Sequence, residues 1–177
     1  VYSCFQKELM HILNYYFTPF AVILIGFAIF FSEPGKATTY TSFALLAGAF
    51  GLNYWLSANV YRFMQITRHV RGIIVWINLL TSAAIFYLLS PYWSPMWLLF
   101  LVGPAASAMF MNNSQVFLTA AAGAAMMLGI YLYKGLAFAM TDAPDMTLAA
   151  AFAQTMQNTQ LWAVSATQAL FIIFFAM

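Results

Sequence analysis

Apolar residues in this chain form long, nearly uncharged runs, and short polar or turn-forming segments separate one run from the next. A helix needs about 20 mostly apolar residues to cross the hydrocarbon core of a bilayer. The runs have about this length and predict six spans, at residues 9–31, 40–60, 72–89, 96–111, 116–133 and 161–177. The pattern therefore predicts an all-α protein, a polytopic transmembrane helical bundle that forms one domain.

The segments between the runs carry the residues that end or begin helices. Residues 32–36 contain Pro34 and Gly35, and residues 90–95 contain two prolines beside two aromatic residues, so both segments predict turns. Ser114 is expected to cap the fifth span at its N-terminus.

Residues 146–160 predict a further helix before the last span, with an aspartate of residues 142–145 as its N-cap. Leu148, Phe152 and Met156 share one face of this helix, opposite Gln154, Gln157 and Asn158. A continuous helix from 146 to 177 would exceed the bilayer by about ten residues. We therefore expect residues 146–160 to project into water, to lie on the membrane surface or to pack on neighbouring loops.

The composition narrows the class of partner. Hydrophobic residues make up 64% of the chain and charged residues 6%, a balance that excludes a soluble globular domain of this length. The net charge of +2 is too small to indicate a nucleic acid as partner. The lipid bilayer is therefore the first expected partner.

The few basic residues predict the orientation of the bundle. Arg62, Arg68 and Arg71 form a positive loop on the same side as Lys7, whereas Lys36 and Lys134 lie on the other side. Because cytoplasmic loops carry the excess of Lys and Arg, both termini are expected in the cytoplasm. The expected location is the cell membrane, specifically the inner membrane of a bacterium.

The chain begins at Val1 and ends in an apolar run, 171–177, that has no charged residue after it. A transmembrane helix usually ends in Lys or Arg at the interface. We therefore expect the sequence to be a fragment of a longer chain, with a further domain after the last span.

Uncharged polar residues inside the spans are the candidate ligand contacts. They are Asn14, Asn53 and Asn59 on the first two spans, Asn78, Thr81 and Ser82 on the third, and Ser165 and Gln168 on the sixth. A carboxamide is costly to expose to lipid, so these side chains are expected to point inward and to pair with each other or with a ligand. The absence of an ionisable residue at this depth disfavours a proton relay.

Small and helix-breaking residues suggest where helices meet or bend. Ala44 and Gly48, Ala47 and Gly51, Thr119 and Gly123, and Ala125 and Gly129 each have the four-residue spacing of close helix packing, within one bundle or between two copies. Pro19 and Pro104 are expected to kink the first and fourth spans and to border a cavity. The alternative for both prolines is a purely structural role.

The sequence contains no nucleophile–base pair, no carboxylate pair, no phosphate-binding glycine loop and no metal-ligand spacing. No catalytic residue, metal or cofactor is therefore predicted. His11 and His69 would suit a bis-histidine haem, but residues at these positions more often lie at the headgroup level.

The layout resembles the N-terminal membrane modules of bacterial sensor histidine kinases, particularly the six-span sensors of small lipophilic autoinducers. The resemblance rests on the arginine-containing loop after the second span, on the turn at residues 90–97, and on residues 97–134 with Gly103 and Pro104. It implies an input module of a two-component system whose kinase domain lies beyond Met177.

Three functions remain open from the sequence. The first is a receptor module that binds a small apolar or amphipathic ligand and signals to a cytoplasmic output domain. The second is a non-enzymatic subunit or scaffold of a membrane complex, or a homodimer, held through its small-residue faces. The third is a transporter or half-transporter, which the missing buried charge and the missing internal repeat disfavour.

Overall fold

The computed structural model describes residues 18–59, 67–108, 111–143 and 147–176, and within these ranges it contains helices but no β-strand. The predicted all-α class is therefore confirmed. The α-helices are α1 (Thr18–Ser32), α2 (Lys36–Asn59), α3 (Thr67–Leu89), α4 (Leu99–Ala108), α5 (Asn113–Asp142), α6 (Leu148–Gln157) and α7 (Thr159–Phe175). A 3-10 helix, Ser94–Leu98, leads directly into α4.

Two of the described helical segments are long and apolar enough to cross a membrane, Gly72–Leu89 in α3 and Asn113–Asp142, which is the whole of α5. Three further apolar helical segments are shorter, namely Pro19–Ser32, Ser94–Ala108 and Thr159–Phe175. The structure thus supports association with a membrane, while the count of six spans is not confirmed.

Helices α2, α3 and α7 begin two to five residues before the predicted spans, and the larger differences concern α5 and α6. Helix α5 does not end near Tyr133 but runs on to Asp142, because five of residues 134–141, namely Lys134, Leu136, Ala137, Ala139 and Met140, are strong helix formers. Its N-cap is Asn112 and not Ser114. Helix α6 is capped by Thr147, whose hydroxyl accepts a hydrogen bond from the backbone N–H of Ala150 at 3.4 Å, and not by an aspartate.

The direction of the helices follows from the contacts between them. Leu79 of α3 lies beside Gly123 of α5, and further along both helices the Phe86 and Tyr131 rings meet edge to face at 5.4 Å between centroids. Residue numbers therefore rise in the same direction along the two helices, so α3 is parallel to α5. Along α5 and α7 the numbers run oppositely, since Gly135 lies beside Leu161 and Tyr131 beside Gln168. Helix α4 connects α3 to α5 and packs against both.

The core lies between α3, α4 and α5. Phe86 and Phe100 are completely buried, and their rings meet at 5.4 Å between centroids. Such edge-to-face pairs contribute about 0.5–1.5 kcal/mol beyond the burial of their area. Two hydrogen bonds place the ends of several helices together: the Ser32 hydroxyl donates to the Tyr92 carbonyl oxygen at 2.7 Å, and the Lys134 ammonium to the Ser90 hydroxyl at 2.8 Å. We call this end of the bundle the Ser90 end.

Helix α5 continues past the Ser90 end for about two turns between Lys134 and Asp142. Helix α6 packs on this extension. The approach is close, because a Cβ atom added to Gly135 would lie 2.5 Å from Cγ2 of Thr155. Glycine at position 135 therefore sets the spacing of α5 and α6, a role that the sequence pattern did not indicate.

The glycines predicted to mediate packing divide into two groups. Gly123 is buried against Leu79 and Phe100, with an added Cβ meeting Cδ1 of Leu79 at 3.3 Å. An added Cβ at Gly48, Gly51 or Gly129 meets nothing within 4 Å. Among the described residues, Gly123 is therefore the one predicted packing glycine of the four that lies in close contact with another helix.

Pro104 lies inside the helix that was predicted around it, whereas Pro19 lies at the start of the described part of α1, and a kink at either proline stays a prediction. Pro104 is buried inside α4, which continues from Leu99 to Ala108. Its missing N–H leaves the Phe100 carbonyl without the usual partner four residues on. Pro19 is the second residue of α1, and the residues before Thr18 lie outside the described part of the chain.

Candidate functional site

The predicted polar residues of α2 and α3 meet between these two helices. The Asn53 amide nitrogen donates to the Asn78 side-chain oxygen at 2.9 Å, and the Asn78 amide nitrogen donates back to the Asn53 side-chain oxygen at 3.1 Å. Asn78 also donates to the Ile74 carbonyl oxygen at 2.8 Å. Asn53 is 3% exposed, so the pair lies in the interior and each carboxamide satisfies the other.

Thr81 and Ser82 stand one turn further along α3 and bond to their own helix. The Thr81 hydroxyl donates to the Ile77 carbonyl oxygen at 2.9 Å, and the Ser82 hydroxyl donates to the Asn78 carbonyl oxygen at 3.0 Å. Back-bonding of this kind keeps a hydroxyl satisfied in an apolar setting.

These four residues line a cavity of about 40 Å³, which we call the amide cavity. Its other walls come from α1, α2, α3 and α4, through Ala21, Leu46, Ala49, Phe50, Ile85, Leu99 and Val102. A water molecule needs roughly 10–15 Å³ of such volume, so the amide cavity has room for no more than about three waters. At this cavity the Asn53–Asn78 pair joins α2 to α3 by hydrogen bonds. A role of these residues in ligand contact stays a prediction.

The remaining predicted ligand contacts lie elsewhere or outside the described side chains. The Gln168 side-chain oxygen accepts a hydrogen bond from the Tyr131 hydroxyl at 3.0 Å, and Ser165 is fully buried on the same helix, α7. Neither of them lines the amide cavity. Asn14 and the side chain of Asn59 are outside the described part of the chain, as are Arg62 and the side chains of Arg68 and Arg71.

Lys134 is the residue that sequence reasoning missed as a site residue. It is half-buried on α5 and donates to the Tyr87 carbonyl oxygen and to the Ser90 hydroxyl. Its ammonium also lies 5.0 Å from the centroid of the Tyr87 ring, within reach of a cation–π interaction. A cation at the last carbonyls of α3 is stabilised by the helix dipole, which is why this lysine folds onto the end of that helix.

A larger cavity, of about 320 Å³, lies where α5, α6 and α7 meet beyond the Ser90 end. We call it the Lys134 cavity, and it is lined by Lys134, Gly135, Phe138, Ala139, Asp142, Gln154, Thr155, Asn158 and Leu161. Small-ligand sites commonly enclose roughly 300–1,000 Å³. This cavity has the volume for a small molecule or a headgroup, whereas the amide cavity does not.

The walls of the Lys134 cavity are held by short-range bonds at the junction of α6 and α7. The Asn158 side-chain oxygen accepts from the Leu161 backbone N–H at 3.1 Å and caps α7. The Trp162 indole donates to the Thr155 carbonyl oxygen at 3.0 Å. The second bond joins α6 to the first turn of α7, so the two helices are linked directly at this junction.

Among the described residues, no group of three or more His, Cys, Asp or Glu side chains is arranged to hold a metal ion. The histidines that were considered for haem, His11 and His69, have no described side chain. The residues that line the amide cavity offer hydrogen bonds and apolar contact, and those that line the Lys134 cavity offer charge as well.

No protein-family model, no curated protein and no solved structure matches this chain. The likeness to the membrane modules of sensor kinases consequently rests on the sequence pattern alone. Any function must be argued from the two cavities and the helices around them.

Proposed function

We propose that this chain is a membrane-embedded input module, a receptor that binds a small amphipathic ligand in the Lys134 cavity. Helix α7 carries the response toward a cytoplasmic output domain. The observation that carries the proposal is the Lys134 cavity itself, which combines about 320 Å³ of space with a cation, a carboxylate, two carboxamides and apolar walls. Concave sites with a few polar groups on an apolar lining are typical of ligand binding.

The arrangement of the bundle supports six spans with alternating direction. Lys36 begins α2 just after Ser32, which is bonded to Tyr92 at the Ser90 end. Helix α3 starts at the opposite end, with Arg68 in its first turn. The separation of Lys36 and Arg68 to opposite ends supports a membrane protein with cytoplasmic termini.

Large apolar side chains on the outside of the bundle also support the membrane assignment. Phe30, Phe138 and Phe174 are 77%, 71% and 76% exposed. Apolar exposure on this scale is costly in water and favourable in lipid.

The position of α7 supports its role in transmission. Its first residues, including Leu161, form part of the Lys134 cavity, and further along it is tied to α5 through the bond between Gln168 and Tyr131. A ligand shifts such a helix only if it binds two arrangements with different affinity. A ligand wedged between α5 and the start of α7 meets this condition when it changes the distance between them.

Photo-crosslinking tests the ligand site in the full chain. We would replace Phe138 with p-benzoylphenylalanine, irradiate the protein in native membranes, and analyse the purified chain by mass spectrometry. The control places the same residue at Phe30, which is about equally exposed but lies on α1, away from the Lys134 cavity. One discrete adduct at position 138 alone supports the proposal, and identical mixed lipid adducts at both positions contradict it.

A second function, that of a structural subunit of a membrane complex, is favoured by one face of α2. Ala44, Ala47, Gly48 and Gly51 are all exposed there, and close approach of a second helix is the usual role of such a face in lipid. Under this proposal, Gly48→Leu removes a co-purifying partner or second copy, whereas Gly26→Leu on α1 does not. Equal recovery of partners in both variants contradicts the subunit role.

A further inference from the structure

The charged residues that line the Lys134 cavity indicate which class of ligand it binds. This inference rests on the ligand site proposed above. Lys134 and Asp142 both line the cavity and lie about two turns, or roughly 12 Å of helix rise, apart on α5. The two side chains are opposite in sign, so the lining has no net charge. A purely anionic ligand would meet repulsion at Asp142, and a purely cationic one at Lys134.

The hydrogen-bonding groups of the lining favour a ligand with acceptor oxygens near Lys134. An ammonium has three N–H donors. Lys134 uses two of them in its hydrogen bonds to the Tyr87 carbonyl oxygen and the Ser90 hydroxyl. Counting contacts with the described residues, one donor remains. Asn158 uses its side-chain oxygen to cap α7, which leaves its amide hydrogens as further donors.

The acidic side of the lining offers only acceptors. Asp142 is exposed at the end of α5, and an ionised carboxylate accepts hydrogen bonds but donates none. It suits an ammonium group with N–H donors. Phe138 and Leu161 supply the apolar part of the lining, and Phe138 also provides a mostly exposed ring along which a hydrocarbon chain can lie.

We infer that the Lys134 cavity binds a zwitterionic amphiphile of the phosphoethanolamine class, as in the headgroup of phosphatidylethanolamine. The phosphate oxygens accept from Lys134 and the ammonium donates to Asp142. The acyl chain leaves the cavity along Phe138. The same headgroup chemistry exists without a lipid tail in free phosphoethanolamine, and the apolar wall selects the lipid form.

Native mass spectrometry of the detergent-solubilised full chain tests this inference. The probes are phosphatidylethanolamine and phosphatidylglycerol with identical acyl chains, together with free phosphoethanolamine as a competitor. We expect phosphatidylethanolamine to bind about tenfold more tightly than phosphatidylglycerol, the difference expected for one charge-assisted hydrogen bond. Free phosphoethanolamine should not displace the lipid at equal concentration, and displacement would identify the soluble molecule as the ligand and overturn the lipid assignment.

Variants connect the binding to the two charged residues. Lys134→Gln should weaken phosphatidylethanolamine binding about tenfold, Lys134→Arg should restore most of it, and the exposed Lys36→Gln should leave it unchanged. Asp142→Asn should bring the two lipids within about twofold of each other. Since Asp142 lies at an exposed helix end, this variant keeps the test valid if Lys134→Gln does not fold.

The outcomes separate this inference from the proposed function. Unchanged lipid preference in both Lys134→Gln and Asp142→Asn, together with a discrete uncharged adduct at position 138, overturns the headgroup assignment but leaves the ligand site standing. Absence of any site-specific adduct at position 138 overturns the ligand site itself.

Discussion

Asn53 on α2 and Asn78 on α3 exchange two carboxamide hydrogen bonds, at 2.9 and 3.1 Å, across the interface between their helices. A reciprocal pair fixes the register of two helices, because a shift by one residue breaks both bonds. In lipid the helices have no hydrophobic drive toward each other. The pair is therefore a specific element that holds α2 against α3.

A double-mutant cycle measures the strength of this pair. Asn53→Leu and Asn78→Leu should each destabilise the bundle by about 0.6–2 kcal/mol, because the remaining carboxamide loses its partner in an apolar interior. The double variant should lose less than the sum of the two single losses. The measurement is the free energy of unfolding in a mixed-micelle denaturant titration, and strictly additive losses would show that the two side chains do not interact.

Gly135 should be the glycine of α5 that tolerates substitution least. Gly135→Ala places a Cβ 2.5 Å from Cγ2 of Thr155, so it should push α6 away from α5 and raise proteolysis of the connection between them. Gly129→Ala is the matched control on the same helix, since its Cβ meets nothing within 4 Å.

The methyl group of Thr155 provides a second test of this contact. Thr155→Ser removes Cγ2 and keeps the hydroxyl, so it should rescue Gly135→Ala in the same proteolysis assay. Lack of rescue, or equal sensitivity of Gly129→Ala, would place the close approach elsewhere.

Glu33, which follows α1, occupies the left-handed region of backbone conformation with φ of 42°. The left-handed conformation costs a residue with a Cβ atom about 1 kcal/mol of conformational free energy, whereas it costs glycine almost nothing. Glu33→Gly should therefore raise the free energy of unfolding by up to about 1 kcal/mol.

Glu33→Ala serves as the control for this prediction, because it removes the carboxylate but keeps the Cβ. Thermal denaturation in detergent should show a gain for glycine and none for alanine. A gain of the same size in both variants would assign the effect to charge and not to backbone strain.

Much of the helical pattern was predictable from residue type alone. Apolar runs predicted α3 within five residues at its start and without error at its end, Leu89, because Pro91 lies two residues further on and disfavours helical backbone at Ser90. Asn53, Asn78, Thr81 and Ser82 were expected to turn inward and do line one cavity, whereas Ser165 and Gln168, predicted for the same set, lie elsewhere. Hydrophobic periodicity could not predict that Asn53 pairs with Asn78. This pairing depends on the register of α2 against α3, which the pattern within either helix does not determine.

The Lys134 cavity was not predictable in the same way. Lys134 was treated as a loop residue because a charge usually ends an apolar run, yet α5 continues through it for two further turns. The contact of Gly135 with Thr155 then brings α6 beside that extension. Sequence spacing contains no signal for this contact, since it depends on tertiary packing over twenty residues of separation.

Cysteine labelling of the two ends of the bundle tests whether the chain crosses a bilayer with alternating helices. In a Cys4→Ser background, single cysteines would replace Lys36 at the Ser90 end, Asp142 beyond it, Asn112 at the other end, and Arg62, which the sequence predicts on the cytoplasmic side. Intact cells would be treated with a membrane-impermeant maleimide before and after permeabilisation. We expect positions 36 and 142 to react in intact cells and positions 62 and 112 only after permeabilisation; reaction of Lys36→Cys and Arg62→Cys on the same side would contradict the membrane topology on which both ligand proposals are built.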